Sequence, residues 1–157
     1  MNAVDINLYS VARSMLLYGA RFNIVKSETG LTVAQLNHIY RDVLGDKPKS
    51  RGAFSYSAKR FLRDRNKLRD ALLFALFYRL ALKGDRSGFP TLAAYGMYRK
   101  FRPQGAFDYT DAFVTARLLM DGQVFVEYCG CGTATLRLAN EDVARCFVCD
   151  SRMPGDA

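Results

Sequence analysis

A chain of 157 residues, half of them apolar, is one domain by size, or one domain with a small appended module, and can bury a true core. Its most apolar run, Ala71 to Leu82, contains Arg79 and falls well short of the roughly 20 residues that cross a bilayer. The start has no basic residues ahead of a compact apolar stretch, as a secretory signal would; a cytoplasmic protein without a membrane partner is expected.

The formal net charge of +8 is uneven, because Arg41 to Arg69 holds ten basic residues against Asp42, Asp46 and Asp64. Such a concentration attracts polyanions by counterion release, with nucleic acid the commonest in a cytosol. A solvated helix face that only keeps the chain soluble is the alternative.

Over the first 45 residues, apolar side chains recur at three- and four-residue spacing: Leu8, Val11, Met15 and Leu16, then Phe22 and Val25, then Leu36, Ile39, Tyr40 and Val43. Two helices are expected, joined by a tight turn in which Gly30 ends the first and Thr32 caps the second. With Gly30 as the turn glycine, Val25, Leu31, Leu36 and Ile39 fall where a DNA-binding helix-turn-helix buries its apolar side chains. Lys26 falls where such motifs favour a small residue. The second helix would present Gln35, His38 and Arg41 outward, with Gln35 able to pair bidentately with adenine. An ordinary helical hairpin fits the same pattern.

A loop around Gly45, Pro48 and Gly52 leads to a long helix expected from near Ser57, cationic at first and then apolar along Leu68, Leu72, Leu76 and Leu80, with Leu73 and Phe77 beside them. Gly84 and Gly88 end it. Further helices are expected over Pro90 to Phe101, with Leu92, Tyr95 and Met97 or Tyr98 packing inward, and over Tyr109 to Met120, with Phe113, Ala116, Leu119 and Met120 at helical spacing. Within the basic region, Lys47, Lys49, Arg51, Lys59, Arg60 and Arg63 are the candidate phosphate contacts, which position a protein on DNA without reading its sequence.

After Gly122 the texture becomes β-like, in "QVFVEY" and "TATLRL". All four cysteines of the chain lie here, as C-x-C (Cys129, Cys131), fourteen residues, and C-x-x-C (Cys146, Cys149). Two such pairs on two turns converge four thiolates as structural zinc prefers. Disulfides are disfavoured in a reducing cytosol. A redox C-x-x-C belongs at a helix start after a strand, whereas this pair lies near the chain end. An iron-sulfur cluster would also accept four cysteines. Four thiolate ligands leave no open position, so Zn2+, one per chain, would be structural. His38 is the sole histidine, and no phosphate-binding Gly-rich loop occurs; an enzyme is not expected. The fold class is mainly α, a helical domain over 1–121 with a helix-turn-helix-like hairpin, followed by a small zinc-ribbon-like β module over 122–157.

The stretch "LYGARFNIVKSETGLTVAQLNHIYRDVLGDKPKSRGAFSYS" resembles the FlhC family of bacterial flagellar transcriptional activators. The features carrying the likeness are Gly19-Ala20-Arg21, Ser27-Glu28-Thr29, Ile39-Tyr40, and Gly45, Pro48, Lys49, Gly52 and Phe54-Ser55. A helix, Gly122, a short strand and the cysteine module follow in the family's order, so the likeness spans about residues 8 to 150. It implies a mostly helical activator that binds one zinc through four cysteines. It also implies a hetero-oligomer of four small helical FlhD-like chains with two FlhC-like ones, acting on double-stranded promoter DNA and RNA polymerase. The C-x-C of Cys129 and Cys131 is narrower than the family's usual first pair, and the chain lacks the expected tryptophans and the longer C-terminal tail, as a divergent or truncated member would. The runner-up is a zinc-stabilised protein-interaction adaptor that docks a partner on its apolar helices and grips an acidic protein surface with its basic stretch. A third possibility, RNA binding through the basic surface, would show as preference for single-stranded or structured RNA.

Overall fold

The computed structural model describes residues 3–46, 56–57, 64–85, 87–139, 146 and 148–151. Among these, the elements run α1 (Ala3–Leu17), α2 (Phe22–Thr29), α3 (Val33–Leu44), α4 (Arg65–Gly84), α5 (Pro90–Phe101), α6 (Tyr109–Met120), β1 (Val124–Tyr128) and β2 (Ala134–Leu138). The protein is mainly helical, with a small two-stranded sheet at its C-terminal end.

The first region holds three helices where the apolar period implied two. Gly19 adopts a left-handed φ of 79°, and the amides of Gly19 and Ala20 bond back to the Leu16 and Met15 carbonyls, each at 2.9 Å. This is a helix stop that glycine permits and a side chain would strain. The apolar spacing continues across the break and hides it. The turn between α2 and α3 forms as expected: Gly30 has φ 68° and its N–H bonds to the Lys26 carbonyl. Thr32 accepts the Gln35 amide at 3.3 Å while the Gln35 Oε1 accepts the Thr32 amide at 2.9 Å, a reciprocal capping box.

Helix α4 also departs from expectation. Its N-cap is Asp64, whose Oδ1 accepts the amides of Asn66 and Lys67, so this helix does not run from near Ser57; residues 58–63 lie outside the described set. The leucine stripe is its core face only in part: Leu72 is buried, and Leu68, Leu73 and Phe77 pack against the core. Ala71, Phe74, Ala75, Tyr78 and Ala81 are buried, whereas Leu80 is 60% exposed. Alanines at three of these positions let α5 approach closely, and bulk comes from aromatic rings instead. Phe74 meets Phe107, Tyr98 meets Phe107, and Tyr95 meets Tyr109 edge-on at 5.2 Å.

Helix α6 is the centre of the molecule, buried from Tyr109 through Ala116. Its N-cap Asp108 forms a capping box with Asp111. Met120, expected to pack inward, is 63% exposed. Two carboxylates buried to 2% exposure or less tie the neighbouring elements: Asp70 of α4 meets Arg102 just after α5 at 3.1 Å, and Asp111 of α6 meets Lys67 of α4 at 3.6 Å. Gly122, with φ 65°, ends α6 and turns the chain into β1. The strands pair antiparallel from Val124↔Leu138 to Tyr128↔Ala134, and Val124 and Leu136 enter the same core as the helices.

Candidate functional site

The β1–β2 hairpin presents its turn as a ligand arm. The Cys129 amide bonds to the Thr133 carbonyl and the Gly132 amide to the Cys129 carbonyl, both at 2.8 Å, with Gly132 at φ 83°. This closes the turn tightly enough to aim Cys129 and Cys131 to one side. The second arm is built the same way: the Asp150 amide bonds to the Cys146 carbonyl at 2.9 Å and the Cys146 amide to the Ser151 carbonyl at 3.0 Å. The Val148 amide donates to the Cys146 Sγ at 3.4 Å.

The arms bring all four sulfurs within 4.8 Å of one another. Cys129 Sγ lies 3.5 Å from Cys149 Sγ, and Cys131 Sγ lies 3.7 Å from Cys146 Sγ. Tetrahedral zinc with bonds of about 2.3 Å spaces its sulfurs by roughly 3.8 Å, so the cluster fits a tetrathiolate metal centre. Cys129 takes its place in it despite the narrow C-x-C spacing. Cys129 and Cys146 are buried and Cys131 and Cys149 exposed.

Proton affinity divides between the sulfurs in an orderly way. Hydrogen bonds from the Ser151 hydroxyl and amide hold Cys149 down to about 6, and those from Thr133 lower Cys131. For Cys129 a backbone bond from Cys131 acts downward, but the proton shared with Cys149, together with burial, carries it up to about 12. Thr133, whose Oγ1 is 3.3 Å from Cys131 Sγ, was not singled out by the sequence. A hydroxyl two residues past a ligand cysteine is the signal that points to it.

The helix-turn-helix-like hairpin is the second candidate surface. Val25, Leu31, Leu36 and Ile39 are all buried between its helices, and Lys26 is exposed to solvent, so its length does not obstruct the crossing. His38 and Arg41 lie exposed on α3. His38 Nδ1 sits 3.4 Å from Asp42 one turn on, and Arg41 Nε donates to the Asn37 carbonyl at 3.4 Å. Gln35 is half-buried, with its oxygen held in the capping box. Lys47, Lys49, Arg51, Lys59, Arg60 and Arg63 lie outside the described residues.

One contact absent from the sequence reading fixes the hairpin to the body: Glu28 of α2 meets Arg117 of α6 at 3.8 Å. No local pattern announces a pair so far apart in the chain. Among the described residues no helix is long and apolar enough to cross a membrane.

A family profile described as "Flagellar transcriptional activator (FlhC)" matches residues 2–157. The chain is also 26% identical over 159 residues to "Flagellar transcriptional regulator FlhC" of Serratia marcescens, an alignment covering 97% of this chain and 79% of that one. With its four-thiol cluster and its helical body, and on a profile match over nearly its whole length, the chain belongs to the FlhC family of flagellar transcriptional activators, a family of transcriptional regulators.

Proposed function

We propose that the chain is the DNA-binding subunit of a hetero-oligomeric activator of flagellar or related promoters. It works in the cytoplasm with a small helical FlhD-like partner, four such chains to two of this one, and brings the assembly to RNA polymerase. The observation that carries the reading is the profile match over residues 2–157, and the exposed face of α3 is compatible with it. In this reading His38 and Arg41 face the major groove and Gln35 meets a base edge at its rim. Lys47, Lys49, Arg51, Lys59, Arg60 and Arg63 contact phosphates. Because the Gln35 oxygen already closes the α3 capping box, adenine must share that acceptor or release it. Cys129, Cys131, Cys146 and Cys149 hold one zinc that organises residues 122–157 as a module, supplying fold and no chemistry.

The test is duplex binding by the chain co-purified with its FlhD-type partner, comparing a flagellar promoter with a shuffled duplex across a salt series. Promoter preference is expected, and charge reversal at both Lys49 and Arg51 should flatten the slope of log K against log salt by about 2. Partner binding without promoter preference would favour the adaptor instead. The exposed Leu80, Leu82 and Phe101 give that second reading its apolar docking surface.

A further inference from the structure

The sulfur cluster has an asymmetry that a purely structural metal site does not require. Two short sulfur contacts each join one exposed cysteine to one buried one: Cys149 to Cys129 at 3.5 Å, and Cys131 to Cys146 at 3.7 Å. Both contacts cross from the β1–β2 turn to the C-terminal turn, linking residues 20 and 15 positions apart. The local pairings, Cys129 with Cys131 and Cys146 with Cys149, are those that short chain separation alone would favour.

We propose that the cluster is a modification site for hydroperoxides, in which Cys149 and Cys131 are the attacked thiols and Cys129 and Cys146 resolve them into two disulfides that cross between the turns, with loss of the bound metal. The exposed sulfur of each pair meets the oxidant, and its buried neighbour is already within reach of the product. The Cys149 thiolate attacks one peroxide oxygen and breaks the O–O bond, giving a sulfenic acid and, after proton uptake, one water. The Cys129 thiol then attacks the sulfenic sulfur, giving its proton to the departing hydroxide, so that the S–S bond forms and a second water leaves. Each pair gives up two electrons to one hydroperoxide. Cys131 and Cys146 react in the same way with a second. A metal held by the four sulfurs would exchange no electrons in these steps and would be left without ligands. The oxidised module exchanges a metal crosslink for two covalent ones between the same two turns.

This inference rests on the proposed metal centre and does not depend on which DNA or partner the chain binds. The test treats the metal-loaded full chain with hydrogen peroxide, follows metal release with a chromophoric chelator, and maps the products by mass after trypsin. Cleavage at Arg117, Arg137, Arg145 and Arg152 places Cys129 and Cys131 in one peptide and Cys146 and Cys149 in another. The expected product is a single species joining both peptides, lighter than their sum by four hydrogens, appearing together with the released metal. Two separate peptides, each lighter by two hydrogens, would mean local pairing and would overturn the proposal. So would metal retention with all four thiols still reduced. The Cys129→Ser variant removes one resolving thiol, and peroxide should then leave a sulfenic acid at Cys149 that dimedone captures. Capture at Cys131 alone, or at neither, counts against the assigned order.

Discussion

Glu28 carries a carboxylate into the seam between α2 and α6, where burial raises its pKa above 4.5 and the facing Arg117 draws it partly back. A carboxyl whose folded pKa exceeds its unfolded one binds its proton more tightly in the native state. Stability contributed by this group is therefore present below the unfolded pKa and lost as pH rises through the folded one. Urea midpoints measured stepwise from pH 4 upward should fall across that window in the wild type, and the Glu28→Gln variant should remove this part of the fall. The position also shows what single residues disclose. The four cysteines were legible because ligand spacing is a local property of the chain, whereas Glu28 and Arg117 meet only once α2 and α6 have packed.

At the scale of elements, the hairpin of α2 and α3 rests on two features of its turn. Thr32→Ala opens the capping box and should cost about 1 kcal/mol. Gly30→Ala forces a side chain into a left-handed backbone and should cost a further 1–2 kcal/mol or so. Denaturant unfolding of both single variants and of the double variant checks these values, and the double should fall short of the sum because the two sites share one turn. Turn and cap were readable from Gly30 and Thr32, as were α5, α6 and both strands, since glycine stops, caps and alternation mark their ends. The α1–α2 break and the start of α4 were not. An unbroken apolar period masked Gly19, and the Asp64 cap sits inside a basic run that reads as continuous helix. The core face of α4 was legible in Leu72 and, at its edge, in Leu68 and Leu73, but not in the alanines, which are buried because close helix packing selects small residues.

In the whole molecule the thiol cluster and the helical core are not isolated from each other, because Val124 and Leu136 of the hairpin pack into the common core. Metal removal by a chelator under reducing conditions should release the turns at Cys129–Thr133 and Cys146–Ser151 while α6 stays folded. Hydrogen exchange should show early loss of protection at the Cys129 and Gly132 amides and continued protection through Tyr109–Ala116. Supplying zinc should restore the first without altering the second.

The buried Asp70 of α4 has a consequence for the history of the chain. Replacing Arg102 alone leaves the buried Asp70 without the guanidinium it meets at 3.1 Å, at a cost of about 1–3 kcal/mol. Exchange of both members for apolar residues of matching volume is close to neutral by the same reasoning. Divergence at this corner therefore proceeds by couples: relatives that have lost the acid at position 70 should have lost the base at 102 with it. Intermediates carrying only half of the exchange should be short-lived lineages.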